Sequence, residues 1–407
     1  MSYGSSNGKR PFETASKSSH HHIINDPTVK AVLEQLWVPP EIKDISINEL
    51  VEPYEVADVS NIHYIIAIDG GYTEVPLRKT FPSAMLHFFQ FGALLLKQED
   101  LKKLEHQPFI SPKDMSVLRD IQRIKLVLPT KNVRDKQKQS LKETVRSHIY
   151  SFFVNESLGE GTSLIDTLKW FIFRQYKSGS LRTQDDSCWS LPSNPILDSA
   201  GGIVLRLEDI SSEGTFVCPA TGGTIYLTDA FRLHEIIDEE TGAAGIGGYL
   251  AGVIEHMIML HVIRILLKND STQLKHLIFI IDRPTGFFGQ TARLHILMTE
   301  LVNWLFSNHE LFLVGLEKSG AFVDHARELQ QTMKSGAYLV LGDDYIYRYI
   351  TPGTGNPDAP YASTSYYGHK VIFKSPSGEM YVLSVPVKKL LKNPRVSDIA
   401  NLNQILT

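Results

Sequence analysis

Three carboxylates occur where the neighbouring residues are apolar, and each needs a reason to be there. Asp69 follows the apolar run in HYIIAIDGGYTE (63–74), Asp282 closes KHLIFIID (275–282), and Glu255 interrupts IGGYLAGVIEHMIMLHVIRILL (246–267). An aspartate at the C-terminal end of a buried strand lies in the crevice where open α/β sheets place ligands. If the two strands are neighbours, Asp69 and Asp282 converge. Two close carboxylates repel unless one takes up a proton or a divalent cation sits between them. Oxygen-only ligands favour Mg2+ or Mn2+ over zinc. A charged glutamate inside an apolar helix needs a partner. Arg264 is about 13.5 Å further along the axis at roughly 1.5 Å per residue, too far for an intrahelical pair. A metal, or a basic group elsewhere in the fold, must therefore meet Glu255. Taken singly, each acid also reads as ordinary structure: an Asx-type cap before Gly70-Gly71, a strand-end turn, a structural ion pair. Their combination points to a metal site.

Other polar and aromatic groups stand close to these acids in the chain. Lys318, in LVGLEKSG (313–320), reads either as a solvated lysine past a strand or as a group that orients water and neutralises a phosphate. Gly70 and Gly71 would let a nucleic-acid backbone approach closely, having no Cβ. Glu74 is an auxiliary ligand or an exposed acid. Phe287 and Phe288, in a Gly-flanked loop, would stack on a base or pack in the core. Arg283 and Arg293 are candidates for phosphate contacts.

The elements that must hold these groups follow from hydropathy and punctuation. Residues 63–68 and 275–282 read as strands, a further strand lies within AMLHFFQFGALLL (84–96), and LFLVGLEKS (311–319) is another. A hairpin is expected at GTFVCPATGGTIYL (214–227). Helices are expected over 246–267, 292–307 and 322–333. The last third, from YLVLGDDYIYRYI to GHKVIFKSPSGEMYVLSVPV, reads as antiparallel strands. A terminal helix begins with Ser397 as its N-cap. Residues 97–200 are mainly charged and helical and read as an insertion. The first 25 residues are rich in Ser, Gly and Lys and read as disordered. Residues 1–60 are thus a tail and arm, and 61–407 a single domain. The pattern specifies an α/β fold, a mixed sheet flanked by helices on both sides.

Composition narrows the class. The 407 residues are 21% charged with a formal net charge of −4, so nucleic acid would be held by local basic patches and not by a globally cationic surface. The two cysteines, Cys188 and Cys218, cannot build a four-ligand zinc site by themselves, and they suit a reducing cytosol. FVCPATGG (216–223) looks like half a zinc ribbon, with an ordinary hairpin as the simpler reading. The polar N-terminus lacks a signal peptide's apolar core. Segment 246–267 is long enough to span a membrane. It carries Glu255, His256, His261 and Arg264, so a core helix is expected.

The ordered set IAIDGG, the glutamate-bearing helix, FIIDRPTGFFG and LVGLEKS resembles the NurA family of DNA-end-processing nucleases, over roughly residues 60–400 apart from the insertion. The resemblance implies an RNase H-like fold in which Asp69, Glu255 and Asp282, with Asp398 as a fourth acid, coordinate one or two Mn2+ or Mg2+ ions for phosphodiester hydrolysis. It further implies a cytoplasmic homodimer acting on DNA with a HerA-like hexameric ATPase, in end processing or antiphage defence. The chain has no GxxxxGK(S/T) loop and is not expected to be the motor. Two departures stand out: Asp282 is followed by Arg283-Pro284 where the family commonly has glycine, and Asp398 is only the nearest match to the family's last ligand.

Two other readings stay open. DGGYT (69–73) resembles the phosphate loop of actin-like sugar kinases, with Asp69 holding Mg-ATP, although no adenosine motif follows. A scaffold that kept the fold and lost the metal is the non-enzymatic alternative.

Overall fold

The computed structural model describes residues 26–36, 46–104, 123–138, 140–158, 161–179, 182–197, 201–353, 355–399 and 401–407. The expected disordered tail, 1–25, lies outside the described residues. The chain divides into two units, Met1–Ile45 and Ser46–Thr407. In the first, α1 (Pro27–Leu33) is capped by Asp26, whose carboxylate accepts from the Thr28 N–H at 2.8 Å. The larger unit begins earlier than residue 61, because β1 (Glu52–Pro53) already pairs with a strand near the end of the chain.

The β-branched and aromatic runs of the larger unit form a long hairpin, β2 (Tyr64–Arg78) and β3 (Phe81–Lys97), followed by α2 (Gln98–Leu104) and β4 (Ile124–Lys131). Helices α3 (Leu141–Asn155) and α4 (Leu164–Ile172) precede two small ribbons. These are β5 (Cys188–Leu191) with β6 (Ile203–Arg206), and β7 (Thr215–Val217) with β8 (Thr224–Tyr226). Then come α5 (Gly247–Asn269), β9 (Leu277–Ile281), α6 (Leu294–Asn308), β10 (Phe312–Glu317), α7 (Ala321–Leu329) and β11 (Ala337–Val340). Strands β12 (Gly368–Lys374) and β13 (Met380–Pro386) and the terminal α8 (Leu402–Leu406) complete the order.

Nine strands make one mixed sheet in the order β1-β11-β12-β13-β10-β9-β2-β3-β4. β9 is parallel to both neighbours, β2 and β10, while the remaining pairs are antiparallel. Alternate residues of the central strands face two cores. Ile66, Ile68, Phe279 and Ile281 join α3, α4, α5 and α6 in the larger one. Ile278, Phe312 and Val314 face a smaller one closed by Ile399, Leu402 and Leu406. This is the sheet with helices on both faces that the residue pattern specifies.

Helix α5 is long and apolar enough to cross a membrane by length and composition, yet 72% of its most apolar window is buried within the protein. Helix α3 starts where Ser140 accepts from the Glu143 N–H, and Glu239 accepts from the N–H groups of Leu141 and Lys142, filling the positive end of the helix from another loop.

Four expectations are corrected. β2 does not stop at Asp69 but runs to Arg78, because residues 70–78 find antiparallel partners on β3. Residues 97–200, read as a mainly helical insertion, also give the main sheet a strand: IKLVLPTK, with Ile124, Leu126 and Leu128 buried, becomes β4 and pairs with β3. YIYRYI is not a strand but a helical turn, with π-helical Ile346–Ile350. The terminal helix starts at Leu402 rather than Ser397, after Asn401 with φ of 58°, a left-handed residue that interrupts the path.

Candidate active site

The parallel pairing of β2 with β9 has its last rung at Ile68 and Ile281, and the next residue on each strand is an aspartate. Because side chains alternate along a strand, Asp69 and Asp282 emerge side by side on one face. The Asp282 N–H donates to the Ile68 carbonyl at 3.2 Å, which holds the register through the end of β9. Asp69 is exposed, yet partial desolvation raises its carboxyl from the ordinary value, and the charge and hydrogen-bonding reach of Asp282 raise it further. Lys318 opposes that shift. Its Nζ donates to Asp282 Oδ2 at 2.5 Å, and this bond raises the lysine in turn. Lys318 comes from the segment just past β10, on the far side of β9, and remains 64% exposed. A lysine held over two acids and open to solvent is placed to meet an anion brought to them.

Glu255 approaches from α5, on the helical side of the sheet. Its Oε1 lies 2.9 Å from where a Cβ on Gly70 would stand, and that Cβ would also collide with the Phe91 ring. Gly70 is therefore a packing requirement, whereas Gly71 faces open space. Glu255 is almost wholly buried, and Oε2 accepts from Nε of Arg283. Burial carries its carboxyl up to about 7, against the downward pull of Arg283, and the charges of Asp69 and Asp282 add to the rise.

The Arg-Pro-Thr-Gly segment after Asp282 crosses the helical face of the sheet over β10, β13 and β12. A Cβ on Gly315 would strike the Arg283 carbonyl, and one on Gly368 would strike the Thr285 hydroxyl, so two glycines make the crossing possible. Thr285 Oγ1 is hydrogen-bonded at 2.5 Å to Ser384 Oγ, and the Tyr367 N–H donates to the Thr285 carbonyl at 3.0 Å. Behind Glu255, the His256 ring donates from Nδ1 to the Gly252 carbonyl at 2.7 Å and accepts at Nε2 from the Tyr367 hydroxyl at 3.0 Å. Full burial pushes this imidazole down to about 3, so it is neutral and structural.

The remaining sequence candidates are distributed elsewhere. Phe287 is 2% exposed and packs on His256, with ring centroids 4.2 Å apart, so it is core and not a stacking platform. Phe288 is half-buried and meets Tyr366 edge-on. Arg293 donates to the Ser190 carbonyl at 3.0 Å and lies over the Trp189 ring, tying α6 to β5. Glu74 accepts from Thr130 Oγ1 at 3.2 Å and faces His87. Asp398 accepts from the Arg395 N–H at 2.8 Å within a tight turn and has His369 as an electrostatic neighbour, so it stands apart from the other acids. Cys218 is buried in the β7–β8 hairpin and accepts from Asn194, as an ordinary hairpin residue would.

Sequence reading missed a second ion pair near the site. Glu317, immediately before Lys318, is paired with Lys370 of β12, and both side chains are nearly solvent-free. Lys370 also lies 4.3 Å from the centroid of the Tyr366 ring, and burial lowers its ammonium to about 8. The only signal available was a lysine within the apolar run GHKVIF.

Beside the acid pair, a trough of about 770 Å³ runs along the exposed face of the β2–β3 hairpin, lined by Asp69, Gly71, Thr73, Gln90, Gly92 and Arg123 among others. Among the described residues no group of three or more His, Cys, Asp or Glu side chains is arranged to hold a metal ion. The acids resolve into a close pair, Asp69 with the Lys318-bonded Asp282, and a separate acid, Glu255, bonded to Arg283. Compared with protein-family models the chain matches none, and no curated protein matches it.

Proposed function

We propose that this chain is a metal-dependent deoxyribonuclease of RNase H-like fold that hydrolyses phosphodiester bonds in DNA, using the Asp69–Asp282 pair. The observation that carries the reading is the adjacency of these two carboxylates on parallel strands, with Lys318 held over them. Repulsion between them, offset in part by Lys318, is a standing cost that a divalent cation would relieve. The strand order supports the fold: β2, β3 and β4 form an antiparallel meander, and β9 and β10 add in parallel beside β2, as an RNase H-like core requires.

The residues fit one divalent cation bound through oxygens of Asp69 and Asp282, and hard carboxylate ligands suit Mg2+ or Mn2+. Such an ion, when bound, lowers the pKa of a coordinated water and stabilises charge on phosphate oxygens. The chain's own groups do the rest. Asp69 and Asp282 would hold the ion at the strand ends, where it faces an incoming phosphate that the bare carboxylates would repel. Lys318 offsets charge on a non-bridging oxygen. The trough beside Asp69, with Gly71 and Gly92 leaving its floor open and Arg123 at its wall, accommodates an extended polynucleotide backbone. The family resemblance adds a homodimer and delivery of DNA by a HerA-like hexameric ATPase in the cytoplasm, for repair or antiphage defence.

The kinase alternative loses its main support. Asp69–Thr73 lies inside a continuous strand paired to β3, so it forms no loop to cradle phosphates. The test of the nuclease reading is incubation of the full chain with linear DNA, Mn2+ and a HerA-like ATPase. Cleavage that falls more than about 100-fold in Asp69→Asn and Asp282→Asn is expected, since loss of several kcal/mol of charge stabilisation has at least that effect. No cleavage by the wild type favours the scaffold alternative, and equal cleavage by the variants removes the Asp69–Asp282 pair from the reaction.

A further inference from the structure

We propose that a pocket at the C-terminal ends of α5 and α6, apart from the acid pair, binds a nucleoside monophosphate, with the base against Trp170 and Trp304 and the phosphate on Arg264 and Lys268. The inference goes beyond the nuclease reading and does not depend on it.

The pocket has a volume of about 380 Å³. That is the lower end of the range for small-molecule sites and suits a single nucleotide. Helical periodicity sets one part of its lining: Arg264, Leu267 and Lys268 stand at three- and four-residue spacing and share a face of α5, and Ser271 follows in the next turn. The other part is a row of rings. Trp170 of α4 and Tyr176 have centroids 5.4 Å apart, Tyr176 and Trp304 of α6 are 5.2 Å apart, and Trp304 and His309 are 5.3 Å apart. Trp170 and Tyr176 are only 8% and 7% exposed, so packing holds them in place, while Trp304 is half-buried at the end of its helix. Fixed aromatic faces of this kind stack on a base with little regard to its identity.

The two cations have no acid of their own. No aspartate or glutamate lines the pocket. Among the described residues Arg264 makes one bond, from Nη1 to Thr167 Oγ1 at 3.4 Å, and neither Arg264 nor Lys268 is in an ion pair. Burial lowers the Arg264 guanidinium from its ordinary value, and Asp166 is the one acid that opposes the shift. Asp166 itself is engaged by the N–H and hydroxyl of Ser163, at 3.1 and 3.0 Å. The nearest acid in sequence to Lys268, Asp270, is bonded to Thr272 and Gln273. A half-buried guanidinium without a carboxylate has lost hydration and gained nothing in return, and a charge-assisted bond to phosphate restores the loss. A phosphate monoester carries roughly 1.5 to 2 negative charges near neutral pH, which Arg264 and Lys268 together match. The pocket shares no residue with the trough beside Asp69. Arg264 stands about 13.5 Å along α5 from Glu255, at roughly 1.5 Å per residue.

Isothermal titration calorimetry and tryptophan fluorescence of the full chain with AMP, adenosine, inorganic phosphate and a single-stranded oligonucleotide test the proposal. One AMP per chain is expected to bind and to quench fluorescence, with adenosine and inorganic phosphate each weaker by at least about 10-fold. Arg264→Gln is expected to weaken AMP by at least about 10-fold and to leave adenosine unchanged. Trp304→Leu is expected to weaken AMP and adenosine alike, by about 5- to 100-fold. Asp69→Asn is expected to leave AMP affinity unchanged, which separates this pocket from the acid pair. If Trp304→Leu does not fold, the contrast between AMP and adenosine in Arg264→Gln decides alone. No binding of AMP at about 1 mM, AMP affinity unchanged in Arg264→Gln, inorganic phosphate as tight as AMP, or an oligonucleotide tighter than AMP overturns the proposal. Each of those results leaves the nuclease reading standing, since DNA cleavage is measured separately.

Discussion

Asp69 and Asp282 are the first residues past the last parallel rung between β2 and β9, and their carboxyl groups are within hydrogen-bonding reach of one another. Strand register alone brings together residues more than two hundred positions apart, and Lys318 offsets only part of their repulsion in the metal-free protein. Neutralising one member should therefore stabilise that form. Asp69→Asn is expected to raise the metal-free melting temperature by up to about 2 °C, a small effect because Asp69 is partly solvated. Saturating Mn2+ should stabilise the wild type by about 2.7 kcal/mol at 100 times its Kd and should leave the Asp69→Asn, Asp282→Asn double variant unchanged. Differential scanning calorimetry with and without Mn2+ reads both effects.

The crossing of residues 283–286 over the sheet depends on the missing side chain at Gly315. Gly315→Ala drives a Cβ into the Arg283 carbonyl and to 3.0 Å from the Thr285 nitrogen, both backbone atoms that cannot swing aside. A loss of about 1–3 kcal/mol in urea denaturation is expected, as for overpacking in a close-packed interior. An unchanged midpoint would show that the crossing strand is not tightly seated.

The Glu317–Lys370 pair is buried on both sides, so removing one member should cost far more than removing both. Lys370→Met leaves Glu317 uncompensated and is expected to cost about 3–5 kcal/mol, while Lys370→Met with Glu317→Leu should recover most of that loss. A double-mutant cycle in denaturant measures the difference. Equal losses for the single and double variants would contradict the paired arrangement.

His256 sets part of the acid limit. Folding lowers its imidazole from 6.5 to about 3 by burial. The unfolded chain therefore binds a proton that the folded chain refuses. The stabilisation is fully present above about pH 6.5 and is lost as pH falls toward 3, at up to about 1.4 kcal/mol per pH unit. His256→Gln should flatten stability against pH in that window by about one proton, read from denaturation midpoints at pH 4, 5, 6 and 7.

Local features are legible in the chain: which residues are buried in a strand or helix, and where an acid interrupts them. IIAID, FIID and the apolar helix around Glu255 were legible because alternation and periodicity act within a few residues of each acid. The strand IKLVLPTK was hidden among charged neighbours, since its pairing with β3 is an interaction at a distance. Tertiary packing alone decided the chemistry of the individual groups. It set Asp69 beside Asp282 and turned Phe287 inward onto His256. It left Asp398 in a tight turn with Arg395 and gave Glu255 a guanidinium from Arg283, the residue after Asp282. An ionisable group's partner depends on which chain segments cross in space, and a sequence of neighbours along one strand or helix does not contain that information.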